Sequence, residues 1–209
     1  MPYGQLPEIE LPDGSKVSGV RVRVPSSGKT AVLRLPTSAE GLDRLQAELD
    51  QKPRKRFGPE PSLKLDADLF KALRLDQGDP FDEYESANII GKLTSCEAVS
   101  LDHEGDRYRV TLKTPFGETV HSMRIPSAKE VAEYRRALYA PQRLNGKEEP
   151  RYHFDATLDL YAATVMEIEG YADNVKRADV PPHHQAIVIG EVVRAFESFD
   201  PLVIDDPNS

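Results

Sequence analysis

The chain has 209 residues, with 27 Lys and Arg against 35 Asp and Glu, a net charge of −8. That acidic balance argues against a protein that wraps nucleic acid, because carboxylates repel phosphates. The one cysteine, Cys96, permits no internal disulfide and implies a reducing compartment. No apolar run approaches the ~20 residues of a membrane span, and the N-terminus lacks the basic-then-apolar pattern of a signal peptide. No membrane association is expected, and the expected location is a bacterial cytoplasm or a virion. The charge is uneven: residues 1–58 carry a net +3 and the remainder −11.

In chain order, "VRVRVPSSGKTAVLRLP" alternates apolar and polar residues on both sides of Ser26-Ser27-Gly28-Lys29. This predicts a β-hairpin whose turn uses Gly28 at positive φ. It stops at Pro36, and Thr37-x-x-Glu40 then forms a capping box. Leu42, Leu45 and Leu49 predict the apolar stripe of the following helix. Residues 52–62, rich in Pro and charge, read as a linker. A helix is expected from Asp66 to Leu75. A second is expected to open at Asp79-Pro80, with Asp79 as N-cap.

"RYRVTLKTPFGETVHSMRIP" repeats the hairpin pattern around Pro115-Phe116-Gly117 and stops at Pro126. Ser127-x-x-Glu130 repeats the capping box, and Val131, Tyr134 and Leu138 repeat the stripe. Two hairpin-plus-helix units about 90 residues apart are therefore predicted, an internal repeat that is either a duplicated module or one local solution reached twice. Residues 141–151 read as a second linker. Phe154, Leu158, Tyr161, Val165 and Ile168 fall at steps of 4, 3, 4 and 3. That spacing predicts one helix of about four turns. A last helix after Pro181-Pro182 is apolar over a wide arc and, with it, makes a C-terminal helical pair.

The expected class is α+β. The plan is a first unit at 1–51, a linker at 52–62, and connecting helices with the second unit at 63–140. A linker at 141–151, the helical pair at 152–200 and a tail at 201–209 complete it.

Few motifs carry chemistry. "SSGKT" resembles the end of a phosphate loop, but Arg23 stands where the first glycine must be, and a strand follows. "DQGDPFDEYE" lacks the spacing of a calcium loop. Its acids suit the positive end of a helix. The adjacent His183 and His184 have no zinc-ligand spacing, which predicts solvated or capping residues. Cys96 has no base or orienting partner in its sequence context and reads as a small buried hydrophobe. His121, in a predicted strand, reads as a surface or hydrogen-bonded histidine. No metal or cofactor is expected.

Leu11-Pro12-Asp13-Gly14, Leu35-Pro36-Thr37 and Ile125-Pro126-Ser127 resemble the opening β-segment and helix entry of tailed-phage tail assembly proteins. The resemblance covers about a quarter of the chain and implies a structural or assembly role with no catalytic residues. The expected function is thus non-enzymatic, exercised through protein–protein contact or self-association. The candidate contact face is Ile187, Val188, Val192 and Phe196 on the last helix. Lys52, Arg54, Lys55 and Arg56 form a basic patch that suits a weak nucleic-acid module. The competing reading is a small enzyme that assembles Asp76, Asp79, His121 and His153 from distant segments.

Overall fold

The computed structural model describes residues 2–49, 61–144, 147–150 and 153–198. The predicted α+β class is what the chain forms. Short hairpin β1 (Glu8–Glu10) with β2 (Lys16–Ser18) precedes hairpin β3 (Val20–Arg23) with β4 (Thr30–Leu33). Helices α1 (Ser38–Leu49), α2 (Pro61–Leu73) and α3 (Glu83–Leu93) follow. Strands β5 (Glu97–Glu104), β6 (Arg107–Thr114) and β7 (Gly117–Arg124) lead into α4 (Ala128–Leu138). Hairpin β8 (Pro141–Leu144) with β9 (Lys147–Pro150), α5 (Asp155–Thr164), β10 (Val165–Glu169) and α6 (Pro182–Ser198) complete the order.

The main sheet is antiparallel, in the order β10-β7-β6-β5. Alternation dictates its faces: Tyr108, Val110 and Leu112 of β6 and Thr119, His121 and Met123 of β7 all turn inward and are buried. Helix α6 lies on β5 and β6, and α5 packs on α6 and α4. Val188, Ile189 and Val192 of α6 are fully or almost fully enclosed in this core. A second cluster joins Ala31 and Leu33 of β4 to Phe70 and Leu73 of α2 and to Ile90 and Leu93 of α3. Each of these Leu, Ile and Phe side chains contributes about 1.5–3 kcal/mol when fully buried. Leu35 and Phe116 pack against both clusters and join them.

Both hairpin-plus-helix units are present, and their corners match bond for bond. Arg34 donates from Nη1 and Nη2 to the Glu40 carboxylate at 2.7 and 2.6 Å. Glu40 accepts from the Thr37 amide at 2.9 Å, and Thr37 Oγ1 accepts from the Glu40 amide at 3.2 Å. Ninety residues later Arg124 makes the same fork to Glu130, at 2.9 Å from Nη1 and closer still from Nη2. Ser127 and Glu130 repeat the capping box at 2.9 and 3.3 Å. The repeated Arg before each proline thus locks the angle between hairpin and helix.

Three expectations are corrected. Helix α5 ends at Thr164, whose hydroxyl donates to Leu160 O at 2.6 Å. Val165 and Ile168 lie in β10, paired with Met123 and His121 of β7. The C-terminal helices therefore flank a strand. Helix α3 is capped by Asp82, with Glu85 completing the box, not by Asp79; Asp79 gives its carbonyl to Arg74 instead. The segment expected as a linker at 141–151 holds the β8–β9 hairpin. The linker expected at 52–62 lies largely outside the described residues, and α2 already begins at Pro61.

Candidate functional site

An apolar opening lies between β3 and α3. Hairpin and helix are tied at one end by Glu85, which caps α3 and accepts from Ser27 Oγ at 3.0 Å and Lys29 Nζ at 2.8 Å. Phe81 fills the space beneath, 5.1 Å from Phe70, with Arg74 and Lys29 over its ring. Beyond that tie the hairpin and helix diverge. They leave a hollow of about 580 Å³ floored by Val20, Val22, Val24, Ile89, Leu93 and Phe116. Its rim carries Arg23, Asn88 and Lys92, with Tyr84 at 67% exposure. A second hollow of about 660 Å³ adjoins it at Val20 and Phe116, and runs beside Ile9 and Arg21. Together they form a trough along β3.

A buried polar chain crosses the other core. His121 Nδ1 is 2.8 Å from the Tyr161 hydroxyl, and its Nε2 is 3.1 Å from the Tyr171 hydroxyl. Tyr171 also meets His184 Nδ1 at 2.7 Å. Tyr3 sets its ring edgewise on His184, with centroids 4.8 Å apart. His184 Nε2 and the Tyr3 hydroxyl are buried without a hydrogen-bond partner among the described residues. Burial lowers His121 to about 4 and His184 to about 2, and raises all three tyrosines above the usual phenol range. Burial therefore holds both histidines neutral at neutral pH. The expectation that His184 is a solvated or capping residue is overturned, since α6 carries it into the core. His183 is also largely enclosed, and burial followed by the nearby Arg44 charge lowers it to about 4.

Three of the four enzyme candidates have side chains engaged locally, and Asp79 is engaged through its backbone. Asp76 accepts from Arg74 Nε at 2.7 Å, Asp79 uses its carbonyl on Arg74, and His153 Nε2 meets Ala140 O at 3.0 Å. His121 faces the tyrosines. Among the described residues, no group of three or more His, Cys, Asp or Glu could hold a metal ion. Cys96 packs half-buried against the main core, and burial, then the Glu97 charge, pushes its thiol up to about 12. That agrees with a small hydrophobe and leaves almost no thiolate at neutral pH.

The contact face expected on α6 is largely turned inward. Val188 and Val192 are fully buried, and Ile187 and Phe196 are half-buried against the same core. The wide apolar arc is consumed by the sheet on one side and by α1 and α5 on others. Lys52, Arg54, Lys55 and Arg56 lie outside the described residues. The trough was missed because alternation in β3 marks an apolar face without saying how far α3 covers it. Tyr84 falls at helical spacing with Ala87 and Ile90, a pattern that points inward, so its exposure at the rim is a product of packing.

Comparison with protein-family models, curated proteins and solved structures finds no match. Among the described residues, no helix is long and apolar enough to cross a membrane.

Proposed function

We propose that this chain is a non-enzymatic structural or assembly protein that acts through protein–protein contact, with the trough along β3 as its contact surface. The observation that carries this reading is the trough's composition. Aliphatic side chains line its floor, and an exposed tyrosine stands at its rim. Aromatic and aliphatic anchors rimmed by polar groups are the usual anatomy of a protein contact. The buried His–Tyr chain supports the same reading, since its members bond to one another and serve the core. The setting in phage or prophage particle assembly rests on the resemblance at Leu11–Gly14 and at the two proline steps alone.

A photo-crosslinking residue at Asn88, on the rim, tests this in the cells that make the protein. The expected result is a discrete protein adduct at position 88 that Val22→Asp abolishes. A matching residue at Lys64, exposed on α2, should give none. A chain that stays free at position 88, and monomeric at every concentration in light scattering, would overturn the proposal.

A further inference from the structure

The inference concerns how the trough is filled, and it rests on the reading just given. Antiparallel pairing directs alternate backbone groups of a strand to opposite edges. Val24 donates its amide to Lys29 O at 2.9 Å, toward the β4 side. The register Val22↔Ala31 and Val20↔Leu33 continues that set. The amides of Gly19, Arg21 and Arg23 therefore point to the opposite edge. Gly19 confirms the phase, because it donates to Pro7 O at 3.1 Å, on the β1 side. There the pairing stops. Proline has no amide to return, and the chain before it turns away to the bridge between Tyr3 and Tyr171. The outer edge of β4 is closed by Leu73 and Leu75, which bond Arg34 N at 3.0 Å and Val32 O at 2.8 Å. The edge of β3 from Arg21 to Arg23 has no such cover among the described residues, and both hollows flank it.

We propose that an extended segment of another protein, alternating apolar and acidic side chains, adds to β3 as a strand in line with β1. Two observations select that chemistry. Arg21, Arg23 and Lys92 border the edge, and among the described residues none of their side chains enters an ion pair or hydrogen bond. Their charge favours acidic residues on the incoming strand. Strand β1 itself, Glu8-Ile9-Glu10, has this composition and lies along the same edge, with Glu10 opposite Lys16 and Ile9 lining the second hollow. The partner lies in line with β1 past Pro7 but in the opposite pleat phase, so that its apolar side chains stand opposite Val20 and Val22 and enter the trough beside Phe116, and its acidic ones stand opposite Arg21 and Arg23. A second copy's β3 is disfavoured, because antiparallel self-pairing brings Arg21 and Arg23 opposite their own kind. Main-chain bonds then supply affinity and the trough supplies selectivity.

The test uses the full chain and a fluorescein-labelled peptide of sequence EIEVEIE, followed by anisotropy and amide hydrogen exchange. Binding is expected, with new protection at the Arg21 and Arg23 amides. The peptide KIKVKIK should bind at least tenfold more weakly. The double variant Arg21→Glu, Arg23→Glu should reverse that preference, and it changes only exposed side chains, so it should keep its fold. Binding that protects α3 amides but leaves Arg21 and Arg23 exchanging freely would overturn strand addition while leaving the contact surface intact. So would a dimer that Arg21→Glu, Arg23→Glu strengthens, or preference for the basic peptide. Absence of any binding overturns the strand proposal, and a position-88 adduct in cells would then show that the contact surface survives it.

Discussion

Lowering the pH from 7.5 to 5 should destabilise this fold through its buried histidines. In the unfolded chain each titrates near 6.5. In the fold, burial holds His121 to about 4 and His184 to about 2. Their hydrogen-bond partners are tyrosine hydroxyls, with no carboxylate to compensate a positive charge. Between pH 6.5 and 4 the unfolded state therefore binds protons that the native state refuses, and stability falls with pH. At one pKa unit per ~1.4 kcal/mol, each of these two removes about 2 kcal/mol by pH 5, and His183, held to about 4, removes about as much, so the three together remove about 6 kcal/mol. That is a large share of the 5–15 kcal/mol typical of a domain. Urea unfolding at both pH values reads the difference, provided the slope m is unchanged. His121→Phe and His184→Phe should each lower stability at pH 7.5 and flatten the pH dependence by about 2 kcal/mol. Loss of under about 1 kcal/mol at pH 5, or an unflattened dependence in both variants, would refute the reasoning.

A separate acid window belongs to the two corners. Hydrogen bonding from Arg34 and Arg124 draws Glu40 and Glu130 to about 2, so their contribution is present above pH 4.5 and is lost as the pH falls toward 2. Because these pairs are partly solvated, Arg34→Met or Arg124→Met should cost only about 1 kcal/mol at pH 7, read by urea unfolding. Gly170→Ala should lower the melting temperature by about 5 °C or more. Its φ is +80°, and a Cβ there would meet Glu118 O at 2.3 Å. Cys96, with its thiol near 12, should react with a thiol reagent at pH 8 several hundredfold more slowly in the native protein than in urea, on the order of the change in thiolate fraction. Equal rates would refute its burial. Phe116→Ala should cost about 2–3 kcal/mol, since this half-buried ring joins both clusters, and calorimetry should still record one transition.

Local chemistry was legible in the sequence, and long-range covering was not. The alternation of residues 20–33 and 107–124 marked both hairpins. The two capping boxes marked the starts of α1 and α4 because cap and Glu lie three residues apart. The Arg of each corner was visible as part of the echo, but its partner, six residues on, becomes apparent only when the corner folds. Val165 and Ile168 misled because a 4-3 spacing in residues 154–168 also suits a helix followed by a strand on one core. The exposed edge of β7 required a neighbour, and that tertiary demand prevailed over helical periodicity. Asp82-x-x-Glu85 is a capping box in plain sequence, and the Asp79-Pro80 pair obscured it. Nothing local links positions 121, 161, 171 and 184, so the buried polar chain is a product of packing alone.

That chain has a consequence for proton order. The Tyr171 hydroxyl sits between two imidazoles and has one hydrogen to give. If it donates to His121 Nε2, then His184 must donate to it from Nδ1, and His121 carries its own hydrogen on Nδ1. If it donates to His184 instead, both rings carry hydrogen on Nε2. The two imidazoles, 63 positions apart in the chain, are thus bound to share one tautomer and can exchange it only in concert.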